Sequence, residues 1–179
     1  MVIIVSSFNN DFKYYKIFMR ITKKGLILDL GCGIGKISDY LTKCGYDCIG
    51  YDNVIETIAL GKETYPHLNL KVADIIDIPK LDKKANGAIY MYSLSNLSNE
   101  EIFSSLASCN KNLVNNGKIM IAVLCKKNPS IIYPPYVNAV KKDVLIDALN
   151  KAGYRIYYCK YGSRMKDVLY VIATKYKNI

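Results

Sequence analysis

Residues 26–35, Leu-Ile-Leu-Asp-Leu-Gly-Cys-Gly-Ile-Gly, constrain this chain more than any other stretch. The apolar run Leu26-Ile27-Leu28 has the character of a buried parallel strand. After the glycines comes a helical pattern carrying Ile34, Ile37, Leu41 and Cys44, with Gly45 placed to cap it. Gly31, Gly33 and Gly35 let the backbone turn sharply and put no Cβ between it and a ligand. The helix start also offers free N–H groups, so the turn is expected to cradle polar ligand groups. Dinucleotide-binding turns read G-x-G-x-x-G, whereas here the spacing is G-x-G-x-G, with Lys36 where the third glycine would fall. Asp29, two residues before Gly31, would repel a pyrophosphate and suits a ligand bearing an ammonium group.

Downstream, a second strand of residues 47–51 ends at Asp52, an acid able to hold a ribose diol. A third apolar run, Leu68 to Ala73, is followed by Asp74 and Ile75. Residues 86–92 read as a fourth strand. Ser98 with Glu101 forms a capping box ahead of Ile102, Phe103, Leu106 and Leu113. Asn115-Asn116-Gly117 reads as a turn, Lys118 to Cys125 as a fifth strand, and about 141–152 as a helix closed by Gly153. Two last runs, 155–160 and 168–174, joined through Gly162-Ser163, read as an antiparallel pair. Strand and helix patterns thus alternate up to that pair, the mark of an α/β fold with helices on both faces of a mostly parallel sheet. The length of 179 residues and a 51% hydrophobic composition suit a single domain, with residues 1–24 as an N-terminal basic segment and 25–179 as the core.

Leu28-Asp29-Leu30-Gly31-Cys32-Gly33-Ile34-Gly35 resembles the first motif of the Rossmann-like (class I) S-adenosylmethionine-dependent methyltransferases. The resemblance extends from Gly25 to Thr174. It implies a doubly wound, mostly parallel seven-stranded sheet in the order 3-2-1-4-5-7-6, with S-adenosyl-L-methionine as cofactor. It further implies that Gly31, Cys32, Gly33 and Gly35 shape the loop around the methionine end while Asp29 supports it. Asp52, with Asn53, would hold the ribose; Asp74 and Ile75 would hold the adenine; and Tyr92 would border the cofactor. The family places the reacting atoms after the fourth strand, where Tyr92-Ser93-Leu94-Ser95-Asn96 stands and Ser93 is a catalytic candidate. The Asn-Pro-Pro-Tyr signature of amino-directed nucleic-acid methyltransferases is missing there. A related string, Tyr133-Pro134-Pro135-Tyr136, comes after the fifth strand, and its prolines stiffen a loop whose Tyr133 and Tyr136 are further candidates for the acceptor pocket.

Charge is uneven along the chain. Residues 1–24 hold five basic side chains and one acid, residues 25–110 seven basic and eleven acidic, and residues 111–179 thirteen basic and three acidic. Lys13, Lys16, Arg20, Lys23 and Lys24, with Lys126, Lys127, Lys141 and Lys142, are expected to converge on one face that attracts anions, nucleic acid among them. Usage rich in Lys, Ile, Asn and Tyr also follows from an AT-rich genome. Six scattered cysteines show no paired C-x-x-C spacing for a metal and suit a reduced, cytoplasmic protein. His67 reads as a surface residue. Val2-Ile3-Ile4-Val5 reads as a disordered end or a short added strand, and no apolar stretch reaches membrane-spanning length. Two alternatives stand beside the transferase: a non-catalytic cofactor-binding subunit working with a partner, and a nicotinamide-dependent oxidoreductase, which the glycine spacing and Asp29 oppose.

Overall fold

The computed structural model describes residues 7–125, 139–162 and 167–179, with side chains from residue 12 onward. The Val2–Val5 run, Lys126, Lys127 and the Tyr133–Tyr136 string lie outside the described residues. In chain order the elements are α1 (Ser7–Ile21), β1 (Leu26–Leu30), α2 (Lys36–Lys43), β2 (Asp47–Asp52), α3 (Ile55–Thr64), β3 (Asn69–Val72) and β4 (Ala85–Met91). They continue with α4 (Asn99–Asn112), β5 (Leu113–Leu124), α5 (Lys142–Lys151), β6 (Tyr154–Tyr161) and β7 (Val168–Lys175). The strands form one sheet in the order β3-β2-β1-β4-β5-β7-β6, as expected. β1 through β5 pair in parallel, and β7 inserts antiparallel between β5 and β6.

β1 has strands on both sides and helices over both faces, so all five of its residues are buried, Asp29 included. That is why its residues other than Asp29 are all apolar, with no alternation. On one face, Ile102 and Leu106 of α4 and Leu145 and Leu149 of α5 pack on Leu28, Ala88 and Ile121. On the other, Tyr14, Tyr15 and Phe18 of α1 and Leu41 of α2 pack on Ile27, Ile89 and Met120. The capping box of α4 forms as read: Ser98 Oγ accepts the Glu101 N–H at 3.3 Å, and a Glu101 carboxylate oxygen accepts the Ser98 N–H at 2.7 Å. The other end of α4 is closed by Lys175, whose buried ammonium donates to the carbonyls of Asn110 (2.8 Å) and Leu113 (2.9 Å).

Two elements depart from the sequence reading. Asn115-Asn116-Gly117 is not a separate turn ahead of β5 but lies within it. The strand starts at Leu113 and bulges between the pairings Ala85↔Leu113 and Gly87↔Lys118, with Asn116 at φ 63°. Such an extra-residue kink uses the same turn chemistry without breaking the strand. The basic N-terminal segment contains a helix. Tyr14, Tyr15, Phe18 and Thr22 recur at helical spacing and are buried, while Lys13, Lys16 and Arg20 share the opposite, exposed side.

Phe18 is fully buried, and its ring lies against Gly87, where an added Cβ would fall 2.8 Å from Phe18 Cζ. Phe18→Ala is therefore expected to lower unfolding free energy by about 3–5 kcal/mol, read by urea denaturation. A loss under about 1 kcal/mol would mean that α1 is not packed on the sheet.

Candidate functional site

The site grows from the C-terminal ends of β1, β2, β3 and β4. Beyond Leu30 the chain turns through Gly31, Gly33 and Gly35, at φ 79°, 55° and 91°. Gly31 admits nothing larger, because an added Cβ would fall 2.3 Å from Ser93 Cβ. Gly33 is the opposite case: a Cβ there would meet no protein atom within 4 Å, so it borders open space. The loop amides are largely committed within the protein. Gly31 and Cys32 N–H both donate to the Tyr51 carbonyl (2.8 and 3.0 Å), Gly35 N–H to Cys32 O (3.0 Å), and Gly33 N–H to Asp52 Oδ2 (2.9 Å). The expected cradle of free N–H groups is thus reduced to a rigid backbone wall, a poor nest for phosphate.

Asp29 is fully buried beneath this loop. Its Oδ2 accepts the Ser38 hydroxyl at 2.8 Å, and its Oδ1 has no hydrogen-bond partner. Burial pushes its carboxyl up to about 6, against the lowering effect of the Ser38 bonds; the Asp52 charge adds a smaller upward push. A buried carboxylate with an orphaned oxygen is an incomplete arrangement that an ammonium group would complete. Asp52, half-buried at the end of β2, closes the loop from the other side and also accepts the Val54 N–H at 3.0 Å. Asn53 beside it is exposed. One strand further out, Asp74 is exposed and accepts the Ile76 N–H at 2.9 Å, with Ile75 buried next to it. Because β3, β2 and β1 are adjacent, these acids occupy neighbouring strand ends, as the sequence pattern expects. Cys32 is packed with Ile58, Leu68 and Leu70, and burial, then the charge of Asp29, raises its thiol well above the usual range. It stays a neutral thiol and offers no nucleophile.

At the end of β4 the structure brings Ser93 against the glycine loop, while Tyr92 just before it packs toward α1. Tyr92 adopts φ 65°, rare for a tyrosine, and its N–H donates to Ala122 O at 2.7 Å. Ser93 donates its hydroxyl to the Leu30 carbonyl at 2.7 Å, tying β4 to β1 exactly where the chain leaves the sheet for the loop. Ser95, part of the segment singled out in the sequence but not as a catalytic candidate, accepts the Leu124 N–H at 3.2 Å and ties β5 to the same corner. No pattern in the sequence marks this tie, since it is a contact across 29 residues. His67 is exposed, as expected, and its Nε2 lies 3.1 Å from Asp39 Oδ1. The basic residues do not all converge: Lys24 bonds the Cys44 carbonyl and covers the Tyr46 ring, at the opposite end of the sheet from Lys141 and Lys142.

Residues 27–117 match the family described as the methyltransferase domain. This chain belongs to that family, the Rossmann-like class that uses S-adenosylmethionine. A provisional methyltransferase of Invertebrate iridescent virus 6, called 235L, is 29% identical over 178 residues, covering 88% of this chain. The chain spans 64% of that viral protein's length. Among solved structures, a SAM-dependent methyltransferase of Methanosarcina mazei superposes with TM-score 0.78 at 19% identity, over 90% of this chain and 98% of the other. The [4+2]-cyclase SpnF superposes with TM-score 0.79 at 15% identity, over 92% and 80%.

Asp29 supplies a pH test of the site. Its folded-state affinity for a proton is raised, so the stability due to that proton is complete below pH 3.8 and is lost as pH rises through about 6. The stability difference between the protein and Asp29→Asn is expected to change by about 3 kcal/mol across that window, in favour of the variant, and then level off. Denaturation curves from pH 4 to 8 measure it, and a flat difference would show that Asp29 is solvated.

Proposed function

We propose that this protein is an S-adenosylmethionine-dependent methyltransferase with an anionic acceptor. The orphaned Oδ1 of Asp29 carries the cofactor reading, because it lies buried beneath a glycine loop whose own amides are largely occupied. Those commitments, and the two carboxylates at 29 and 52, oppose a pyrophosphate and with it the oxidoreductase alternative. Asp29 would face the methionine ammonium, Asp52 and Asn53 the ribose, and Asp74 with Ile75 the adenine. Cys32 and Gly33 would line the loop, and Tyr92 would border it. The cofactor brings an activated methyl group with a good leaving group. The protein's own task is then to position the acceptor and exclude water rather than to supply one obligatory acid or base.

Ser93, Tyr133 and Tyr136 remain the acceptor-side candidates. The Ser93 hydroxyl is engaged with Leu30 O, which fits a positioning role. That engagement also supports a second reading, a non-catalytic cofactor-binding subunit whose partner supplies the acceptor site. The net charge of +10 supports an anionic acceptor, nucleic acid included. Among the described residues, no helix is long and apolar enough to cross a membrane.

Calorimetry is expected to show binding of S-adenosylmethionine and its demethylated product, with NAD bound poorly. Gly33→Ala is expected to keep its unfolding temperature within a few degrees and to weaken cofactor binding at least about tenfold. Gly31→Ala is expected to lose stability through its clash with Ser93. Asp52→Ala is expected to cost roughly 1.5–3 kcal/mol of binding, the scale of hydrogen bonds to a charged group. Absence of cofactor binding by the intact protein, or tight NAD binding, would sink the assignment. Methyl transfer from labelled cofactor to RNA, DNA, protein or metabolite fractions by the purified chain alone separates the enzyme from the subunit.

A further inference from the structure

We propose that the outer side of α1 and the edge strand β6 together form a docking surface for single-stranded nucleic acid. The surface joins elements from opposite ends of the chain. The Tyr14 and Tyr158 rings approach to 5.9 Å between centroids, the Lys13 ammonium lies 4.8 Å from the Tyr14 ring centre, and that of Lys160 lies 5.8 Å from the Tyr158 ring centre. Both ammonium groups act on the Tyr158 phenol, so two cations distant in sequence converge on one aromatic spot. Among the described residues β6 pairs only with β7 and ends the sheet.

A bulge in β6 arranges the rest. The register shifts between Ile156 and Tyr158, leaving Tyr157 as the extra residue, and its side chain is 68% exposed. Tyr154 and Ile156 pack toward α4 and α5, whereas Tyr158 packs toward α1. Alternation then puts Arg155 and Lys160 on the α1 side with Tyr158. Among the described residues, no carboxylate pairs with Lys13, Arg155 or Lys160. The result is unneutralised cations interleaved with aromatic rings along about 16 Å of extended strand. This combination fits a flexible phosphate backbone whose bases are free to stack. A duplex keeps its bases stacked internally and would leave Tyr157 without a partner.

The surface is also in line with the proposed transfer site. Met91 at the end of β4, Ala122 of β5, Tyr170 of β7 and Lys160 of β6 form one row of register partners across the sheet. Three strand spacings put Lys160 about 14–15 Å from the end of β4, a short reach for a bound strand. The proposal deepens the anionic-acceptor reading and rests on it for this link, while docking itself can be measured without methyl transfer.

The test is fluorescence anisotropy with a labelled single-stranded RNA of about 12 nucleotides, titrated across salt, with heparin as a base-free polyanion. The unaltered protein should bind the RNA with affinity falling log-linearly in salt. The variant Lys13→Gln/Lys160→Gln should flatten that slope by about 1.4. Tyr157→Ala should weaken RNA binding roughly fivefold or more and leave heparin binding unchanged. Calorimetric affinity for S-adenosylmethionine should be the same in all three proteins, so failure of the docking surface and failure of the cofactor assignment are read separately. The proposal is overturned if RNA does not bind, if Tyr157→Ala binds RNA like the unaltered protein, or if phosphatidylserine vesicles bind and RNA does not.

Discussion

A carboxylate kept dry in the central strand is the constraint around which the site is built. Asp29 is held through one oxygen by Ser38 and has no hydrogen bond on the other, in a strand buried on both faces. Burying a polar group in this way costs stability, and desolvation shows in the raised proton affinity of the acid. The surrounding structure offsets that cost with apolar packing on both sides of β1. An acid so placed is poorly suited to the free protein and well suited to a cationic ligand. Local inconsistency of this kind in an otherwise consistent core is characteristic of a functional site.

The glycine loop follows from the same logic. Its backbone is pinned by the Tyr51 carbonyl, by Asp52 and by its own Cys32 carbonyl, and Ser93 presses on it from β4. The positive φ angles at Gly31 and Gly35 are held by these contacts, and only Gly33 leaves room outward. Tyr92, a tyrosine at φ 65°, shows that β4 accepts backbone strain to deliver Ser93 to this corner. The loop is therefore a preformed wall with an acid behind it. Most of the energetic cost of shaping a ligand site is thereby met during folding, leaving less to be ordered on binding.

Much of this was legible in the sequence because the signals are local. The β1–turn–α2 unit needs glycines at set positions, the α4 start needs a serine and a glutamate three apart, and the parallel strands are short apolar runs. Alternation of strands and helices, with the resemblance of residues 28–35, then implied the sheet order that is found. What stayed hidden depends on contacts between distant residues. Helix α1 buries three aromatic residues against strands as distant in sequence as β5 and β7, and its abundant lysines masked that periodicity. The bulges in β5 and β6 are set by partner strands, and the engagement of the Ser93 hydroxyl by a carbonyl 63 residues earlier cannot be read from either segment alone.

Fold alone does not determine the chemistry, since SpnF, named a [4+2]-cyclase, shares this architecture as closely as the methanogen methyltransferase does. What separates one use of such a sheet from another lies in the parts added around it. In this chain α1 lays a basic helix over the face opposite α4 and α5, and β6 carries a bulged, cation-bearing edge next to it. The glycine loop, by contrast, lies within the acidic part of the sequence, residues 25–110. Opposite fields are thus separated across one sheet: carboxylates at the ends of β1 and β2 suit a cationic small molecule, and cations at the β6 edge suit an extended anion. The proposed cofactor and the proposed anionic strand would then occupy the same domain without competing for the same groups, with the cross-sheet row from Met91 to Lys160 between them.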